Sequence, residues 1–378
     1  MKIFKNKFLY LPMLVVLLLS AVFASFAIPS THVKIKDLPI AMVNEDTGEM
    51  GKTVFDNITN TKTQKNSSMS IKWSAVSSEK EAVNKMNNEK YYATVVIPKD
   101  FSEDIGSLAT QNPQKTKVKI IINEGMNKNV AGQLENALST MFQTVGDELG
   151  EQVLQQVGSK SPAIPIEMAS SLNNPIEVST EKINKTGDLA NGGVHFFQSV
   201  WLGSIMAAMI LSFAFAKSKF KNKNEKFISK LIIIIMGGIT SFVVGYGTVY
   251  LQSAILQADI PNINSLGLFL SLAGFAFLML IAGVESWIGI ASVPIFMIFL
   301  FFAAPVLTAI PESLNSFYGG LADWLPMSYM YRGVKSIMYF KGTPANADVI
   351  GLTITSVIGM VLILLSVFKK DKKEIANG

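Results

Sequence analysis

Few side chains in this sequence are spaced for covalent chemistry. Cysteine is absent from all 378 residues, which excludes a disulfide framework, a thiolate nucleophile and a zinc–thiolate site. The two histidines, His32 and His195, are too isolated to suggest a metal site. Gly48-Glu49-Met50-Gly51-Lys52-Thr53 looks like a phosphate-binding loop, but that loop needs four residues between its glycines and here there are two. Asn44-Glu45-Asp46 offers oxygens to a cation, as calcium loops do. Without a further spaced set of carboxylates, a solvated turn at a strand end explains the same residues. No nucleophile–base arrangement or pair of carboxylates at a defined spacing can be read elsewhere, so neither an enzyme nor a cofactor on this chain is expected. What remains are charges and aromatics at the rims of apolar segments. Glu285, within Gly283-Val284-Glu285-Ser286, is expected in a turn at the inner surface, with a substrate or coupling role as the alternative; an ionised group at a bilayer centre would cost at least about 2.5 to 3.5 kcal/mol. Trp324, Tyr329 and Arg332 stand in an aromatic stretch suited to the headgroup level. Arg332 is expected either to attract an anionic headgroup or substrate, or to pair with a carboxylate such as Asp323.

The apolar segments that these rims bound have a telling length. A bilayer core of about 30 Å needs about 20 apolar residues in a helix, because lipid offers no water to satisfy backbone N–H and C=O groups. Six stretches meet that need: Phe8 to Ile28, Val200 to Ala216, Leu231 to Leu251, Leu266 to Gly283, Trp287 to Ile310 and Val349 to Phe368. The expected fold class is an α-helical membrane protein of six transmembrane helices, one plus five, with an extracellular α/β domain inserted between helices 1 and 2. Its expected segments are 1–29, 30–196 and 197–378, with an outer aromatic region at about 311–347. A cleaved signal peptide at Ser25-Phe26-Ala27 is the lesser alternative, since the apolar run exceeds the usual 7 to 15 or so residues.

Lysines close to the spans set the orientation. Lys2, Lys5 and Lys7 precede the first stretch, Lys217, Lys219, Lys221, Lys223, Lys226 and Lys230 separate the second and third, and Lys369, Lys370, Lys372 and Lys373 follow the sixth. Six spans put all three groups, and both termini, on the cytoplasmic side of a cell membrane. The stretch from Ser30 to His195 then faces outward, with 17 lysines against 20 aspartates and glutamates, a balance of −3. The formal +5 of the chain is therefore topological, and nucleic acid is not an expected partner. A large outward domain without a disulfide points to a bacterial surface.

Within that stretch, short β-rich runs alternate with helical ones, as in an α/β domain. Leu38 to Val43, Ser70 to Val76, Tyr91 to Ile97 and Lys117 to Asn123 read as strands. Gly51 to Ile58 and Ser78 to Glu89 read as helices, the second with Ser78 and Glu81 spaced as a capping box, and Lys99 to Ser102 opens another. From Asn129 to Val157, apolar residues at spacings of three and four predict one long amphipathic helix, which serves as a stalk, a lid or a dimer surface or simply packs on the sheet. Glycines gather in the third apolar stretch, at Gly237, Gly238, Gly245 and Gly247, where tight helix packing is the default and a moving interface the alternative.

Three motifs carry a resemblance. Ile40-Ala41-Met42-Val43-Asn44-Glu45-Asp46-Thr47-Gly48, then Tyr92-Ala93-Thr94-Val95-Val96-Ile97-Pro98-Lys99-Asp100-Phe101, then Leu325-Pro326-Met327-Ser328-Tyr329 with Arg332, stand in an order similar to that of ABC-2-type exporter permeases, in particular the phage-infection-protein (Pip)-like branch. The resemblance covers nearly the whole chain, although only seven residues precede the first span where many such permeases have an amphipathic helix. It implies a homodimer or heterodimer of six-span halves in membrane lipid, each half served by a separate cytoplasmic ATPase subunit that binds the ATP. It also implies re-entrant helices on either side of Pro326. The basic loop from Lys217 to Lys230 is where ATPase coupling is then expected, through Phe220, Lys221, Lys226, Phe227 and Ile228, the bland alternative being an interfacial anchor. The implied function is outward movement of an amphiphilic substrate. The competing expectation is a surface scaffold, a phage receptor or a secretion-machine component that the spans merely anchor.

Overall fold

The computed structural model describes residues 11–31, 34–60, 69–110, 112–158, 165–190, 192–216, 218, 220–257 and 259–369. The chain forms two compact units, one running from Lys34 to Ala190 and the other built from the sequence on either side of it. The helical unit begins with α1 (Leu11–Thr31). The other unit then follows as β1 (Ile35–Asn44), α2 (Glu49–Asn60), β2 (Met69–Ala75), α3 (Glu79–Asn87), β3 (Ala93–Ile97), α4 (Phe101–Ser107), β4 (Thr116–Asn123), α5 (Lys128–Gly158), α6 (Ile166–Leu172) and β5 (Ile176–Ile183).

These strands make one five-stranded mixed sheet in the order β2-β1-β3-β4-β5. β1 pairs in parallel with β2 and β3, β3 pairs antiparallel with β4, and β4 pairs in parallel with β5. All five residues of β3 are buried, as befits the central strand of a sheet, and its one polar side chain, Thr94, donates its hydroxyl to Met86 Sδ at 2.9 Å. The helix expected from Ser78 is present, and the Ser78 hydroxyl accepts the Glu81 N–H at 3.3 Å. The Glu81 carboxylate does not close the capping box; Lys85 and Ser77 take it instead and hold its carboxyl down at about 2. The long helix α5 packs on β4 and β5 and then on α6, burying Val130, Leu134, Leu138, Phe142 and Val153, which favours packing over a free stalk. β5 was not foreseen. It is a sheet-edge strand with Glu177 and Glu181 where apolar alternation would be expected, because those carboxylates pair across the strand with Lys117 at 3.7 Å and Lys119 at 2.9 Å.

The helical unit continues as α7 (Gly192–Ala216), α8 (Lys223–Leu256), α9 (Ile263–Ile288), α10 (Ser292–Thr308), α11 (Ser316–Trp324), α12 (Pro326–Tyr339) and α13 (Asn346–Leu365). Among the described residues, four helical runs are long and apolar enough to cross a membrane: Gly192–Phe215, Lys223–Leu256, Ile263–Thr308 and Asn346–Phe368. The third of these is 46 residues long and contains both α9 and α10. It breaks at Gly289, whose φ of +69° is a conformation that a Cβ disfavours. α9 is the hub of the unit, apolar all round and in contact with α7, α8, α10, α12 and α13. Two neighbours approach it through small residues. A Cβ at Gly245 would lie 2.4 Å from the Ser271 nitrogen, and one at Gly359 would lie 2.3 Å from the Met279 carbonyl carbon. Close packing thus accounts for Gly245, and for Gly237 against Met279, while Gly247 faces open space. Trp201, only 1% exposed, fastens α7 to α10 by donating its indole N–H to the Phe296 carbonyl at 3.0 Å.

Candidate functional site

Two of the sequence motifs meet at the sheet. β1 and β3 run in register from Ile40 beside Ala93 to Asn44 beside Ile97, so Asn44-Glu45-Asp46 and Pro98-Lys99-Asp100 leave by the same carboxyl edge. Open α/β sheets place ligands at such an edge, where helix N-termini present backbone N–H groups to an anion. Here the protein supplies its own anion. Asp46 accepts the Gly51 N–H at 3.2 Å, the Ser102 N–H at 3.3 Å and the Ser102 hydroxyl, and Ser102 Oγ in turn accepts the Met50 N–H at 3.1 Å. One carboxylate therefore ties the first turn of α2 to the first turn of α4. Gly51 is needed for this, since a Cβ there would lie 2.3 Å from Asp46 Oδ2. The phosphate-loop resemblance fails on a filled position as well as on glycine spacing, and the acidic cluster is a structural strand-end turn. Among the described residues, no group of three or more His, Asp or Glu is placed to hold a metal ion.

The residues singled out near the second and third apolar stretches gather at one end of α8 and α9. Phe220 and Lys221 lie just before α8, which Asn222 caps by accepting the Glu225 N–H at 2.9 Å while Glu225 accepts the Lys221 N–H at 2.7 Å. Helix thus begins earlier than expected, and Lys226, Phe227 and Ile228 occupy the first two turns of α8 instead of a loop. Phe227 is 43% exposed, and Ile228 is exposed beside it. Glu285 is not in a turn. α9 runs through it to Ile288, and the chain turns at Gly289 because only there does the backbone adopt positive φ. The Glu285 side chain is buried, with the residue 7% exposed. Ser212 of α7 hydrogen-bonds to its carboxyl and Lys230 of α8 lies near enough to act on it by charge, while Oε2 has no hydrogen-bond partner. Three lysines surround this helix end. Lys230 Nζ is 3.4 Å from Ser286 Oγ, Lys369 donates to the Trp287 carbonyl at 2.6 Å, and Lys226 donates to the Lys369 carbonyl at 2.9 Å. Ser212 and Lys369 were not foreseen as members of this cluster; the position of Lys369 just beyond the last apolar stretch was the signal available.

The aromatic stretch after α10 forms two short helices divided at Pro326, as its sequence predicts. Trp324 stands exposed at the end of α11, and Tyr329 lies against Gly351 of α13, where a Cβ would come within 2.6 Å of its ring. Arg332 pairs with Asp348 and not with Asp323. Its Nε and Nη2 reach the same oxygen, Asp348 Oδ1, at 2.8 and 2.7 Å, and its guanidinium carbon lies 5.2 Å from the centre of the Tyr329 ring. The cause is helix packing: α12 lies along α13, which buries Asp348 in the first turn of α13 opposite Arg332, whereas Asp323 is exposed on α11.

Apolar helices long enough to cross a membrane, joined in one chain to a small mixed sheet with its own helices, define the class as a membrane protein. The model of the family described as "Protein of unknown function (DUF3533)" matches residues 7–364, and the chain belongs to that family. Over 154 residues it is 24% identical to "Uncharacterized protein YhgE" of Bacillus subtilis (strain 168), a match covering 39% of this chain and 20% of that relative's length. A crystal structure of "a domain of a putative ABC type-2 transporter" from Thermotoga maritima MSB8 is 26% identical, covers 38% of this chain and 84% of its own, and superposes with a TM-score of 0.23. So loose a superposition is no basis for a shared fold.

Proposed function

We propose that this chain is the membrane-spanning permease subunit of an ATP-driven exporter of the ABC-2 type, moving an amphiphilic substrate outward with a separate ATPase subunit. The observation that carries the proposal is the pair α11 and α12. At 9 and 14 residues, neither is long enough to cross a bilayer. Yet α12 is packed against α7, α9 and α13, with Gly333 against the Phe269 ring and Gly193 against Tyr331. An anchor has no need of two half-length helices built into its bundle; a substrate path does.

In this proposal the membrane is crossed six times, by α1, α7, α8, α9, α10 and α13. The 46-residue run of α9 and α10 would extend about 69 Å if straight, more than twice the apolar core, so its break at Gly289 divides it into two crossings. The unit from Lys34 to Ala190 then lies outside, and the basic end near Phe220 and Phe227 faces the ATPase. Replacing Phe220 and Phe227 by alanine is expected to lower substrate-stimulated ATP hydrolysis at least about tenfold in vesicles containing both subunits, with membrane expression unchanged. Export at the unaltered rate in those variants removes the coupling assignment, and the absence of any ATPase among proteins purified with the chain from native membranes removes the exporter. The scaffold reading draws on the separate compactness of the Lys34–Ala190 unit. Retention of function after all the membrane helices are replaced by one anchor would favour it.

A further inference from the structure

The end of the helical unit that buries Glu285 carries a concentration of positive charge beside exposed apolar side chains. Lys221, Lys223, Lys226, Lys230 and Lys369 stand there with two carboxylates, Glu225 and Glu285, leaving an excess of three positive charges among the described residues of this end. Both carboxylates are engaged by the protein itself: Glu225 Oε2 accepts the Lys221 N–H, and Glu285 is buried. Backbone carbonyls fix two of the ammonium groups, Lys226 on the Lys369 carbonyl at 2.9 Å and Lys369 on those of Trp287 and Ser286 at 2.6 and 3.3 Å. A carbonyl positions an ammonium with a partial charge only, so its attraction for a full negative charge persists. Phe368, 70% exposed, lies next in the chain, and Lys223 Nζ sits 5.7 Å from the centre of its ring. Trp287 and Ile288 are exposed on the adjoining turn of α9.

Held ammonium groups next to exposed aromatic and aliphatic side chains match a molecule that is anionic at one end and apolar along the rest. We propose that this end of α8, α9 and α13 binds an anionic phospholipid, with Lys223, Lys226 and Lys369 around its phosphate and Trp287, Ile288 and Phe368 along its acyl chains. Which leaflet supplies the lipid rests on the topology proposed above; the binding does not.

The test is titration of the purified full-length protein in neutral detergent with phosphatidylglycerol, with phosphatidylcholine and with inorganic phosphate, read by melting temperature and by native mass spectrometry. Phosphatidylglycerol is expected to raise the melting temperature and to remain bound, phosphatidylcholine to do neither, and inorganic phosphate to act only at far higher concentration. Substituting K223Q, K226Q and K369Q together is expected to weaken phosphatidylglycerol binding on the order of a hundredfold. Substituting K335Q and K341Q, nearer the start of α13, is expected to leave it unchanged. An equal response to the two lipids, or wild-type affinity in the triple variant, overturns the proposal. Should the triple variant fail to fold, the intact protein decides: binding must fall steeply between about 0.05 and 0.5 M salt, and salt-insensitive binding overturns the site. Phosphatidylglycerol binding that survives while no ATPase purifies with the chain from native membranes upholds the lipid site without the exporter. Capture of an ATPase subunit by these lysines with no lipid preference assigns the surface to a protein partner and overturns the site.

Discussion

Asp46 concentrates into one side chain the work of two helix caps. Its carboxylate receives two backbone N–H groups and a hydroxyl from segments 5 and 56 residues away. Asp46→Ala is expected to cost the Lys34–Ala190 unit about 1.5 to 3 kcal/mol, the range for hydrogen bonds to a charged group. Amide exchange of the full-length protein checks it: the Gly51 and Ser102 amides should lose protection by more than tenfold, and unchanged exchange at both would refute the capping role. The sequence marks Asp46 as notable but hides its task, because Ser102 reaches it only after β1 and β3 have paired. Arg332 shows the same limit. Its need for an anionic partner can be read from its place in an aromatic stretch between apolar segments, but the choice of Asp348 over Asp323 belongs to the way α12 lies along α13.

Among elements, the apolar helices are the most legible, since a run of about 20 apolar residues has few alternatives to a membrane helix. Their ends are less so. α8 begins eight residues before its apolar stretch, in a lysine-rich segment that hydropathy assigns to a loop. The capping pair Asn222 and Glu225, spaced by three, was the local signal for it. β5 escaped notice because strand pairing with lysines replaces the apolar alternation by which edge strands are recognised. The glycines on α8 and α13 make a sharper claim. Gly359→Leu would drive a side chain into the Met279 backbone, where even a Cβ sits at 2.3 Å. Overpacking of this kind costs about 1 to 3 kcal/mol, or prevents folding where backbone must yield. The melting temperature in detergent is expected to drop for Gly359→Leu and to hold for Gly247→Ala, which meets open space; equal melting of the two would show that α9 and α13 are not so closely joined.

For the molecule as a whole, the one antiparallel pairing in the sheet, β3 with β4, has a consequence for how the chain is routed. Because β4 and β5 run opposite to β1, the strand that starts this unit and the strand that finishes it have their free ends at the same side of the sheet. Those ends are three strand spacings apart, about 14 Å, a gap that five or six extended residues bridge. Replacing residues 34–190 by a short glycine–serine linker is therefore expected to leave the rest of the protein inserted in membranes and melting within a few degrees of the full-length chain. Loss of insertion would show that the helices lean on what was removed. Had every strand pointed the same way, those two ends would lie a full strand length further apart; with the last two inverted, the unit opens and closes at one edge of its own sheet.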